Sequence, residues 1–236
     1  MFHVGRCGST VLGGLLAQHP RVSWGSELFD EVHQRFPGFR ATPEWTRAVI
    51  ELGTWRDGRD WFGFETKSNH LHASYTGMPV PDYVALLERI GFDRFVVLRR
   101  RNLLRVVASV SVGFRQQRWH QAGTASGPQT VALDLANLWG TGLSLVQVLD
   151  WFSQYYRDLD DALRGKQVLA LCYEDDIEAD PRVAYRKMCE FLDIAPEPVE
   201  VRLARTNPFP LRELIGNFSE VSAALGGTAH AWMLES

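Results

Sequence analysis

The sequence predicts an α/β fold in three layers, with a central, mostly parallel sheet covered by helices on both faces. Three observations lead there. Apolar strand-like runs alternate with helical tracts along the chain. Phe95, Val96, Val97 and Leu98 form a continuous apolar run, as a parallel strand buried on both faces requires. Finally, the apolar approach Met1–Val4, the polar turn Gly5-Arg6-Cys7-Gly8-Ser9-Thr10 and the helically spaced Val11, Leu12, Leu15 and Leu16 read as strand, turn and helix N-terminus.

The 236 residues are enough for a substantial core, and one domain spanning residues 1–236 is the economical reading. An apolar share of 45% with 22% charged residues is ordinary for a globular chain. A net charge of −3 gives no global reason to expect a nucleic acid partner, although Arg99, Arg100, Arg101 and Arg105 gather locally. Cys7, Cys172 and Cys189 lack metal-ligand spacing and suit reduced thiols in a cytoplasmic protein. No apolar run is as long as a membrane span, and no signal peptide precedes the first motif. The chain begins almost inside its first strand, so either that strand is short or the start has been cut. A homodimer is among the assemblies the sequence allows.

The first helix should end before His19-Pro20. Val22-Ser23-Trp24 follows as a short strand, with Glu27 just past its end. A helix is expected from Pro43 to about Leu52, with Pro43 near its first position, and Trp61–Lys67 reads as one strand. Pro81–Ile90 is a helix closed by Gly91, and Arg94–Leu98 is a strand. Asn102 caps a helix over Leu103–Gln117, and Gly123–Gln129 is a loop. A long helical tract runs from Val131 to Leu163, broken near Gly140-Thr141-Gly142. Gln167–Leu171 is a strand, Pro181–Leu192 a helix, and Leu211–Leu225 a last helix ended by Gly226-Gly227. The apolar Trp232-Met233-Leu234 suggests a tail that docks.

The first turn carries most of the functional information. A strand, a glycine-bearing turn and a helix start make a nest of backbone N–H groups suited to a phosphate. Arg6 offers a cationic fork and Ser9 and Thr10 hydroxyl donors, while Gly5 and Gly8 allow close backbone approach and Cys7 is a small filler. No lysine precedes Ser9, so the Walker pattern for ATP is absent. The acidic run Tyr173-Glu174-Asp175-Asp176 is better suited to structural hydrogen bonding than to a divalent ion.

These pieces resemble a family. The segment H-V-G-R-C-G-S-T-V-L-G-G-L-L-A-Q-H-P-R-V at His3–Val22 is similar to the 5′-phosphosulfate loop of sulfotransferases that use 3′-phosphoadenosine 5′-phosphosulfate (PAPS). The segment F-V-V-L-R-R-R-N-L-L-R-V-V-A-S-V-S-V-G-F at Phe95–Phe114 resembles their 3′-phosphate site, with Arg101 and Ser109 eight residues apart. Leu171–Leu192 resembles the late strand and its helix. The resemblance implies a P-loop-like sulfotransferase fold and direct, in-line sulfuryl transfer from PAPS to a hydroxyl of a small-molecule or carbohydrate acceptor, with no metal. It implies donor binding by Gly5, Arg6, Cys7, Gly8, Ser9, Thr10, Arg101, Ser109 and Arg205. Arg6 would also stabilise charge growing in the transition state.

The acceptor hydroxyl needs a base. Glu27 fits a subset of bacterial sulfotransferases with a glutamate shortly after the first helix–strand return. His70, His72 and His120 are the alternatives, since other members use histidine. Lys67, Trp119 and His120 are candidates for touching the acceptor, and the aromatics between Trp24 and Phe64 for walls of its pocket. Two further readings remain open: a nucleotide-binding protein of this fold without turnover, and an enzyme using another sulfate donor. A phosphotransferase would require the missing cradle lysine.

Overall fold

The structure, a computed structural model, describes residues 1–30, 42–54, 58–72, 76–116, 127–203 and 208–235. The chain forms two compact units: Met1–Arg99 with Tyr155–Val201, and Arg100–Gln154 with Arg202–Ser236.

The first unit is the α/β body. Strands β1 (Phe2–His3), β4 (Thr66–Lys67), β5 (Arg94–Arg99) and β6 (Gln167–Cys172) form a parallel sheet in the order β4-β1-β5-β6. A second parallel pair joins β2 (Val22–Trp24) to β3 (Trp61–Gly63). Helices α1 (Ser9–Leu16), α2 (Pro43–Thr54), α3 (Val80–Arg89) and α6 (Arg182–Phe191) accompany these strands. Phe95 to Leu98 on β5 are all buried, as the unrelieved apolar run requires. In α3 the buried positions Val80, Tyr83, Val84 and Leu87 follow helical spacing, and the Tyr83 hydroxyl meets Thr66 Oγ1 on β4 at 3.1 Å. Each such apolar side chain contributes about 1.5–3 kcal/mol of burial.

Trp61–Lys67 is not one strand. Residues 61–63 pair with β2 and residues 66–67 with β1. Between them the Glu65 N–H donates to the Ser26 carbonyl at 2.8 Å, and the Thr66 N–H to the Met1 carbonyl at 2.8 Å. The extended segment therefore changes partner at Phe64-Glu65 and sews the two sheets together.

The second unit is mainly helical. It holds α4 (Leu103–Gln116), the first ten residues of α5 (Leu145–Ala162), α7 (Leu211–Leu214) and α8 (Phe218–Leu225). Asn102 caps α4 as expected: its Oδ1 accepts the Arg105 N–H at 3.1 Å, while its Nδ2 donates to the Met233 carbonyl at 2.8 Å. That second bond docks the tail. Residues 131–144 depart from the expected helix. Asp134 Oδ1 takes the amides of Ala136 and Asn137, and Asn137 Oδ1 takes that of Gly142. Short polar side chains thus offer the backbone alternatives to helical bonds, leaving only a 3₁₀ turn at Leu138–Gly140. The expected helix Leu211–Leu225 is likewise broken. The Gly216 N–H donates to the Val131 carbonyl and Asn217 Nδ2 to the Leu133 carbonyl, each at 2.9 Å, which turns the chain between α7 and α8.

Candidate active site

In the first unit β1 ends at His3, and the chain turns through Gly5, Arg6 and Gly8 with φ of 86°, 53° and 86° before entering α1. Left-handed backbone at Arg6 costs about 1–2 kcal/mol, which this turn sustains because its neighbours fix it. The neighbours are close. A Cβ on Gly8 would lie 2.8 Å from Ile177 and 3.1 Å from Tyr173, both in the turn after β6. Cys7 is fully buried, its Sγ donating to the Gly5 carbonyl at 3.0 Å and lying 3.8 Å from the Tyr156 hydroxyl. It is a packing residue. The α1 N-terminus has no side-chain cap and no acidic residue in its first turn, so its positive end is left for an anion.

Beneath the turn lies a buried polar network that the sequence reading missed. Glu65, 2% exposed, accepts from His3 Nε2 at 3.1 Å and from Trp24 Nε1 at 3.2 Å, and it also takes a hydrogen bond from Ser9. The Gly5 N–H donates to His3 Nδ1 at 3.0 Å, which fixes the His3 proton on Nε2, facing Glu65. One carboxylate thus anchors both ends of the turn, Gly5 through His3 and Ser9 directly. Burial opposes its charge, but the bonds from His3, Ser9 and Trp24 prevail and hold its pKa at about 2. Burial keeps His3 below the ordinary histidine value. Gly13 is part of the same construction: a Cβ there would meet Trp24 Nε1 at 2.4 Å and Glu65 Oε1 at 2.9 Å. The signal in the sequence was a glutamate inside an aromatic strand, Phe62-Gly63-Phe64-Glu65, where only a partnered carboxylate can be buried.

A second cluster stands at the C-terminal ends of the strands. Lys67 closes β4 beside His3 of β1, and its stem passes Gly5, where a Cβ would lie 4.0 Å from Lys67 Cδ. Its Nζ bonds Glu27 Oε2 at 2.8 Å and Asp30 Oδ2 at 2.5 Å. Asp30 Oδ1 is 2.8 Å from His70 Nε2, and the Lys67 N–H donates to His70 Nδ1 at 3.1 Å. Because Nδ1 accepts, His70 carries its proton on Nε2 and donates to Asp30. Burial and the neighbouring Asp30 push Glu27 up to about 7, against the pull of Lys67. Asp30 is held well below the usual carboxylate range: burial opposes its charge, but the bonds from His70 and Glu27 and the nearby Lys67 charge together outweigh it. Lys67 is raised, the two carboxylates overcoming its burial. Asp30 is three residues from Glu27, a helical spacing that aligns both carboxylates.

The other candidates fall as follows. Thr10 is exposed and Ser9 buried. His70 is fully buried against Phe29 (ring centroids 5.7 Å apart) with both nitrogens engaged, so it does not face a substrate as a base. Phe62 and Phe64 stack on each other at 6.1 Å and both meet Phe92, and with Trp24 and Trp61 these aromatics line a pocket of about 280 Å³. Arg99 pairs with Asp160 at the end of β5, whereas Arg100 is buried. In the second unit Arg101 is exposed at the entry to α4 and Ser109 is buried two turns on. Arg105 Nη1 donates to the Phe209 carbonyl at 3.0 Å. Trp119, His120 and Arg205 lie outside the described residues. Asp176 is structural: it accepts the Cys172 N–H at 2.7 Å and pairs with Lys187 at 2.7 Å. Among the described residues no His, Cys, Asp and Glu side chains gather in a set that could hold a metal ion. No helix among them is long and apolar enough to cross a membrane.

No protein-family model and no curated protein matches the chain. Among solved structures, the chain is similar to a sulfotransferase from Alicyclobacillus acidocaldarius, with a TM-score of 0.57 and 16% sequence identity over 99% of this chain and 93% of that one. The fold, a mostly parallel sheet with flanking helices, is thus one that a sulfotransferase adopts.

Proposed function

We propose that this chain transfers a sulfuryl group from PAPS to the hydroxyl of a small-molecule or carbohydrate acceptor. The observation that carries this reading is the bond of Glu27, raised to about 7, to Lys67, whose stem passes Gly5 in the turn that leads into α1. An anion cradle and a carboxylate poised to take a proton near neutral pH are the two groups sulfuryl transfer needs. The fit to a nucleotide sulfate rests on the left-handed turn at Gly5, Arg6 and Gly8 and on the absence of any acidic residue in the first turn of α1. In this reading the donor supplies the sulfuryl group: the acceptor oxygen forms the new O–S bond as the S–O bond to the 5′-phosphate breaks, its electron pair leaving on the phosphate oxygen.

The chain's own residues do the rest. The Gly5–Thr10 turn, Cys7 included, shapes the cradle, and the amides of Ser9 and Thr10 donate to the 5′-phosphate. The Ser9 hydroxyl is given to Glu65. Arg6 stabilises charge developing on the leaving side, and Glu27 takes the acceptor's proton. Arg101 and Ser109, with Arg205, are the residues we assign to the 3′-phosphate, and Trp119 and His120 to the acceptor. Lys67 serves the acceptor side through Glu27. Cys7, Cys172 and Cys189 form no disulfide, which suits a cytoplasmic setting.

Incubating the chain with PAPS and a panel of phenolic and sugar hydroxyls tests this. Sulfate ester and 3′-phosphoadenosine 5′-phosphate should appear in equal amounts by mass spectrometry. Nucleotide binding without product would make the chain a binding module, and ester formed from p-nitrophenyl sulfate but not from PAPS would replace the donor.

A further inference from the structure

The geometry points to Asp30 and His70 as positioning residues that hold Lys67 between two carboxylates, so that Glu27 can gain and lose a proton without stranding the ammonium charge. This rests on Glu27 being the base.

The arrangement is a chain of directed bonds. The Lys67 N–H fixes His70 Nδ1 as an acceptor, so His70 Nε2–H must point at Asp30 Oδ1, 2.8 Å away. Asp30 then offers Oδ2 to Lys67 Nζ at 2.5 Å, and the same ammonium reaches Glu27 Oε2 at 2.8 Å. A lysine bonded to Glu27 alone would keep that glutamate ionised and strongly solvated by charge, which makes a weak base. A lysine shared with a second, permanently ionised carboxylate pulls less on Glu27, and the Asp30 charge itself favours protonation of its neighbour. When Glu27 accepts the hydroxyl proton, its bond to Lys67 loses the ion-pair component, and Asp30 retains the ammonium. The positive charge stays paired throughout.

The groups bearing on Glu27 are Asp30 from its own turn and Lys67 from β4. His70, Glu27 and Lys67 act on Asp30, and the Lys67 ammonium also disfavours a charge on His70. His70 is neutral, since burial lowers it. Its contribution is therefore a donor proton and a fixed ring, locked by Phe29.

The test needs neither donor nor acceptor. In the full chain labelled with carboxyl-¹³C glutamate, the Glu27 signal is the one lost in Glu27→Gln, and it should titrate near 7. In Asp30→Asn its midpoint should fall by one pH unit or more, because Lys67 then serves Glu27 alone. In Lys67→Met it should rise instead. A midpoint unmoved in Asp30→Asn overturns the proposal; if that variant does not fold, an unmoved or lowered midpoint in Lys67→Met does so. Shifted midpoints in a chain that makes no sulfate ester would uphold the network and remove sulfuryl transfer, so the two readings fail separately.

Discussion

Replacing Glu27 by glutamine lowers turnover by about 10²–10⁴-fold, the range for loss of a positioned general base, and leaves nucleotide affinity unchanged. Glutamine keeps the shape of the side chain and an oxygen for Lys67, but it cannot take a proton from an alcohol. The wild-type rate should also carry the signature of this group. Its pKa is raised to about 7, so it is protonated and inactive as a base below that value. Turnover therefore rises as pH passes upward through about 7 and levels above it, and steady-state rates across that interval check this. In Glu27→Gln the rising limb disappears along with most of the activity. A glutamine variant that keeps both the rate and the limb would show that the proton leaves by another route.

The second large effect is on stability. Glu65 is the acceptor for His3, Trp24 and Ser9, and Glu65→Leu leaves those donors buried without it. Each orphaned donor costs about 1–3 kcal/mol, so the variant should lose about 3 kcal/mol or more of unfolding free energy by urea denaturation. The acid dependence follows the sign of the shift. The folded pKa, about 2, lies below the ordinary glutamate value of 4.5, so the native state binds this proton less readily than the unfolded chain. Its stabilisation is complete above about pH 5 and is lost as pH falls through 4.5 toward 2. In Glu65→Gln that part of the acid limb should flatten. Because Glu65 anchors Gly5 and Ser9, both variants should also weaken nucleotide binding.

The α/β plan was legible because its signals are local. The run Phe95–Leu98 could only be a strand buried on both faces, Asn102 placed the start of α4, and Gly5–Thr10 marked the turn between β1 and α1. Long-range competition hid other features. Nothing local shows that Trp61–Lys67 changes partner at Phe64-Glu65, because that depends on where β1 and β2 lie. Residues 131–144 have helical periodicity, but Asp134 and Asn137 capture amides that a helix would use. Gly216 and Asn217 likewise yield to Val131 and Leu133.

At the candidate site, Glu27 and Lys67 were readable as residues at strand ends. Their mutual ion pair was not, since it spans forty positions. Asp30 was missed because it declares itself only through its partners, whereas Glu65 had a local sign in its place within an aromatic strand. His70 was considered as a base from its position after β4; its fixed ring and engaged nitrogens make it a support for Asp30.

Isothermal titration of the whole chain with 3′-phosphoadenosine 5′-phosphate and with ADP, repeated on Arg101→Ala, tests the central claim most directly. The account predicts binding of the doubly phosphorylated nucleotide more than tenfold tighter than ADP, a margin of about 1.4 kcal/mol, and loss of that margin in the variant. Equal affinity for the two nucleotides, or no binding of either, would contradict it.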